Sequence, residues 1–130
     1  MPMHPAARRF CMLAALLLAL ATLIGALSAH ALKPNLTVDR YEVLQTAVHY
    51  QFFHALGLLG LGLLCDRNPS PLLHWAGWLV FAGTVLFSGS LYLLLAGAPR
   101  PLGVLTPLGG VALISGWSVA ALALLRARGS

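Results

Sequence analysis

The sequence predicts an all-α polytopic membrane protein, four antiparallel transmembrane helices in one bundle, forming a single domain over residues 1–130. Three observations predict it. Hydrophobic residues make up 59% of the chain and charged residues only 8%, against roughly 25% charged in a typical soluble domain. A chain of 130 residues has too little polar surface to dissolve so apolar a composition, which argues against a soluble enzyme. Four stretches, residues 10–29, 43–64, 72–96 and 102–125, hold no Asp, Glu or Lys. Each reaches the about 20 apolar residues that cross a hydrocarbon core of roughly 30 Å. Pro34, Pro69, Pro71, Pro99 and Pro101 all fall between these stretches, where a helix stops anyway. The apolar runs do not alternate with period two, so barrel strands are excluded. Short connections make consecutive helices antiparallel neighbours.

The first span resembles a signal peptide: Arg8 and Arg9, a Leu/Ala core, then Ala29-His30-Ala31 as a small-x-small site. Its apolar run exceeds the usual signal core of about 7–15 residues, so it is expected to be retained. In the loop that follows, Asp39 and Glu42 have the spacing of a capping box, with Asp39 as N-cap, so the second helix is expected to start outside the membrane. Asn35-Leu36-Thr37 also matches a glycosylation acceptor, but the pattern is common by chance and lies close to the bilayer. At the start of the fourth span, Thr106 is the expected N-cap and Pro107 the N1 residue, and Gly109 and Gly110 allow close backbone approach. Small residues four apart mark packing stripes: Ala21, Gly25 and Ala29 on the first span, Ala112, Gly116 and Ala120 on the fourth. Ala76, Thr84 and Ser88, completed by Val80, form a stripe on the third.

The net charge is +5, from eight Lys+Arg and three Asp+Glu. The basic residues occur singly or in pairs, so no nucleic-acid surface is expected. In a membrane protein they set topology instead. Arg8, Arg9, Arg67, Arg126 and Arg128 fall on one side, Lys33, Arg40 and Arg100 on the other. Five against three places both termini and the loop at 65–71 in the cytoplasm.

Polar residues inside a membrane are costly and are functional candidates by default. The second span holds most of them: Gln45, Thr46, His49, Tyr50, Gln51 and His54. Helix rise puts His54 about 16 Å below Val43, near the midplane. His49 and His54 diverge by roughly 140° and do not chelate one metal. His30 lies at the outer surface and His74 at the inner face, so no bis-histidine haem forms within one protomer, and only a homodimer could pair two copies of His54. A neutral His54, hydrogen-bonded to Ser88 or Ser90 on the third helix, is the expected arrangement. Cys11 and Cys65 both lie at the inner face and are expected to be free thiols, and no Cys-x-x-Cys motif occurs. No metal and no cofactor is expected.

Four segments carry a resemblance: GALSAHAL at 25–32, TAVHYQFFHAL at 46–56, LFSGSLY at 86–92 and TPLGGV at 106–111, the last continuing to Ser115, Gly116 and Trp117. In this order and spacing the chain resembles domain of unknown function family 423, small four-helix membrane proteins that include bacterial inner-membrane proteins. The resemblance implies a retained first helix and no activity. It places His30, Tyr50, Gln51, His54, Ser88, Gly89, Ser90, Tyr92, Thr106, Pro107, Gly109 and Gly110 on motif positions, and leaves His49 off them. Because the spans alternate in direction, all four motifs converge on the half of the bundle opposite the termini. The favoured function is a non-enzymatic structural or accessory component of the inner membrane, in contact with the lipid bilayer and with a homo-oligomer or larger membrane complex as its setting. The alternative is an oligomeric carrier or pore for a small solute or proton, lined by that polar cluster. An enzyme is disfavoured, because no Asp, Glu or Cys lies beside His54 within a span.

Overall fold

The computed structural model describes residues 1–127; Arg128, part of the charge count above, lies outside them. Four long helices follow one another: α1, Pro5–Leu27, α2, Val38–Arg67, α3, Pro71–Leu95, and α4, Leu105–Arg126. All four are long and apolar enough to cross a membrane, and no strand occurs among the described residues. The protein is an integral membrane protein. α1 and α2 start before their predicted spans, where polar residues carry them into the interface, α3 keeps to its span within one residue, and α4 starts inside its own.

Local chemistry sets each end. α1 starts at Pro5 because His4 Nδ1 accepts from the Ala6 N–H and proline suits the first helical position. Past Leu27 the helix loosens into a π turn, Ser28–Leu32, and a 3-10 turn, Lys33–Asn35. The small-x-small site at Ala29 therefore lies in continuous helical backbone. α2 does begin before the apolar run, but Thr37 caps it in place of Asp39. The Thr37 hydroxyl accepts from the Arg40 N–H at 3.2 Å, and Asp39 sits in the first turn, where its charge suits the helix dipole. α3 ends in a Schellman turn: Gly97 N donates to Leu94 O and Ala98 N to Leu93 O. Gly97 adopts φ 102°, the left-handed conformation this turn demands. A 3-10 segment, Arg100–Val104, then feeds directly into α4. Thr106 is consequently already inside the helix and is not its cap.

The main interfaces run between consecutive helices: α1 on α2, α2 on α3, α3 on α4. Phe10 reaches from α1 to α3, edge-on to Trp78 at 5.4 Å and close to His74 at 5.7 Å. Small residues form the seams. On α1 the buried set is Ala7, Ala14, Ala21 and Ser28, each seven apart, while Ala29 is exposed and Gly25 only half-buried. On α4 it is Gly109, Gly116 and Ala123, again seven apart, with Ala120 buried beside them and Ala112 half-buried. The expected stripe of four is thus replaced by a heptad on α1, while on α4 Gly116 and Ala120 of the expected stripe are buried alongside a heptad. The reason is geometric: a seam of period 3.5 stays in register against a single neighbour, whereas residues four apart drift off it, a drift that α3 tolerates because it packs against both α2 and α4. The α3 stripe of Ala76, Val80, Thr84 and Ser88 is buried throughout, as expected.

Candidate functional site

The distal half of the bundle, remote from the termini, collects most of the interhelical polar contacts. At its centre is Gln51, buried on α2. Its amide Nε2 donates to the Leu17 carbonyl of α1 at 2.8 Å, and its Oε1 accepts from the Tyr92 hydroxyl of α3 at 2.6 Å. One side chain thus joins three helices. The primary amide suits this because it carries donors and an acceptor on one rigid group. Beside it the Ser88 hydroxyl donates to the Ala47 carbonyl of α2 at 2.7 Å, a second α2–α3 link. Ser90 and Thr106 share a hydroxyl–hydroxyl bond that joins α3 to α4, and Ser90 also bonds to the Phe87 carbonyl.

His54 does not bond to Ser88 or Ser90. Its Nδ1 accepts from the Trp117 indole N–H of α4 at 3.0 Å. Both serine hydroxyls are already engaged closer to the distal surface, one on α2 and one on α4, so His54 meets the helix that returns to its depth. Gly57, one turn along α2 from His54, makes room for the indole. A Cβ there would lie 2.5 Å from Trp117 Cη2. Trp117 escapes a reading that counts only polar residues. Its signal was its place at the end of the fourth motif, together with the bare Gly57 facing it.

The remaining candidates divide. Tyr50 stacks on Phe87 with centroids 4.3 Å apart and lies 5.7 Å from the His54 ring. Gly109 provides the expected close approach: a Cβ there would fall 2.9 Å from the Gly83 carbonyl oxygen of α3, and one on Gly83 would fall 2.9 Å from that of Gly109. Gly110 meets nothing within 4 Å and borders open space. His30 and Pro107 are exposed and join none of these contacts. Among the described residues no three His, Cys, Asp or Glu side chains come together as a metal site would require.

α2 and α4 stand apart above the His54–Trp117 bond, leaving a cleft of about 630 Å³. Tyr50 and His54 form one wall, Gly110, Ile114 and Trp117 the other, and Phe87 of α3 the floor.

Residues 24–110 match the family described as "Protein of unknown function (DUF423)". This segment holds all twelve motif residues from His30 to Gly110, whereas Trp117 lies beyond it. A "UPF0382 membrane protein" of Staphylococcus epidermidis is 43% identical over 92% of this chain and 98% of its own length. The UPF0382 membrane protein YwdK of Bacillus subtilis is 42% identical over 90% of this chain and 96% of its own. The UPF0382 inner membrane protein YgdD of Escherichia coli is 37% identical over 79% of each. No solved structure matches.

Proposed function

The chain belongs to the DUF423 family, and on that premise we propose that it is a non-enzymatic accessory or structural component of the bacterial inner (plasma) membrane, with both termini cytoplasmic. The observation that supports this reading is how the distal polar groups are used. Gln51, Tyr92, Ser88, Ser90, Thr106 and His54 each hydrogen-bond across to a neighbouring helix. These bonds hold four helices in register, and the outward faces are left to large apolar residues such as Leu16, Phe53 and Ile114. A rigid, lipid-covered block of this kind suits a subunit that docks laterally in the membrane. A second reading, an oligomeric carrier or pore for a small solute or proton, draws support from the cleft that reaches His54.

Affinity purification in mild detergent, with native mass and identification of co-purifying chains, separates the two. The accessory reading expects a native mass explained by other membrane chains at fixed stoichiometry. A homo-oligomer of the 13.7 kDa chain that supports solute or proton flux in liposomes, lost in His54→Ala, overturns it in favour of the carrier.

A further inference from the structure

His54 retains a hydrogen bond to give. Because Trp117 donates to Nδ1, that nitrogen carries the lone pair, and the proton of the neutral ring sits on Nε2. Among the described residues the Nε2–H has no acceptor. It is not sealed in either, since no fully buried side-chain polar atom among the described residues lacks a partner. His54 itself lines the α2–α4 cleft. A polar N–H facing hydrocarbon without an acceptor is costly, so the cleft suits a ligand that brings one.

Depth narrows the choice of ligand. His54 lies about 16 Å from Val43 and about 15 Å from Leu64, at the middle of the second span. Phospholipid ester carbonyls lie at the edge of the core, roughly 15 Å away. The acceptor must therefore belong to an uncharged molecule whose polar group dissolves in the core itself. The walls narrow it further. They are aromatic and flat, with Tyr50 stacked on Phe87 on one side and the Trp117 indole on the other. The volume of about 630 Å³ falls within the range of small-molecule sites. Ile114 on the cleft wall, 70% exposed, leaves an apolar exit toward lipid.

We propose that this cleft binds the ring of a prenylated quinone, one ring carbonyl accepting from His54 Nε2–H and the prenyl tail leaving past Ile114. Such a molecule joins a planar uncharged ring, carbonyl acceptors and a membrane-soluble tail, which are the three properties the cleft demands. The site rests on a different observation from the accessory reading and stands or falls separately from it.

The test uses the full chain in nanodiscs of synthetic phosphatidylcholine, titrated with decylubiquinone while tryptophan emission is followed. Saturable quenching is expected, weakened about tenfold in His54→Phe, which keeps a ring and removes the donor. Ile114→Trp fills the cleft without touching the His54–Trp117 bond, and should abolish the saturable component even if His54→Phe does not fold. Added dioleoylglycerol, which offers ester carbonyls and a hydroxyl but no planar ring, should not compete. Linear, unsaturable quenching shared by wild type and Ile114→Trp would overturn the proposal. So would displacement by dioleoylglycerol, which would assign the cleft to an ester lipid, or a dimer whose cross-links run through Ile114, which would assign it to a second copy.

Discussion

Gln51 shows how one residue sets the stability of the distal half. Its amide meets α1 through a backbone carbonyl and α3 through the Tyr92 phenol, so its removal leaves Tyr92 without its acceptor and loosens two interfaces at once. Interhelical hydrogen bonds in membranes average about 0.6 kcal/mol and reach about 1.7. A double-mutant cycle of Gln51→Leu and Tyr92→Phe, read by thermal unfolding in detergent, should give a coupling within that range. Gln51→Leu alone should cost more than Tyr92→Phe, because it also breaks the bond to Leu17. Additive effects would show that the bond contributes nothing. The importance of Gln51 was visible in the sequence as a polar residue inside a span. Its partners were not, because a backbone carbonyl on another helix has no signature in the chain. His54 illustrates the same limit. A polar partner was foreseeable from the cost of burying an imidazole, yet which hydroxyl or indole meets it depends on the depth at which each helix crosses.

Among the elements, α4 offers the sharpest contrast, since adjacent glycines do opposite work. Gly109 lies against the backbone of α3 at Gly83, whereas Gly110 faces open space. Gly109→Ala should destabilise by about 1–3 kcal/mol, the usual range for overpacking. Gly110→Ala should be neutral, or stabilise by up to about 1 kcal/mol through helix propensity. Thermal unfolding of the two variants in one detergent checks this, and equal effects would mean that α3 and α4 do not meet at Gly83. The sequence marked both glycines as a site of close approach without separating them, because only the rotation of α4 about its axis decides which one faces inward. Rotation about the helix axis likewise replaced the stripe of four with a heptad on α1.

For the whole molecule, the heptad of Ala7, Ala14, Ala21 and Ser28 gives the first span a seam against α2. A Cβ on Gly62 of α2 would lie 2.7 Å from Cys11 Sγ and 3.2 Å from the Ala7 carbonyl oxygen. Losing α1 would uncover this glycine groove to lipid. The purified protein should therefore show the mass of the full chain and begin near Met1, and a mature N-terminus at Leu32 would refute the retained span. Topology is the companion expectation. Alkaline phosphatase fused to the C-terminus should be inactive in a bacterial host, and an introduced Lys33→Cys should label from outside, from the five-to-three distribution of Lys and Arg. Activity of the fusion with labelling from inside would reverse the orientation.

By itself the sequence determined the number of helices, their approximate limits, the membrane as their solvent and the half of the bundle where the polar motifs converge. These follow from length, hydropathy and alternating direction, which are one-dimensional properties. Only the tertiary structure decided that Gln51 ties three helices, that Thr37 and not Asp39 caps α2, that Trp117 is the partner of His54, and that a cleft opens between α2 and α4. Each of these depends on how far a helix is rotated and shifted along its axis. That is set by the packing of small residues against backbone, to which the hydrophobic pattern is blind in a bilayer, because lipid and a neighbouring helix are equally apolar.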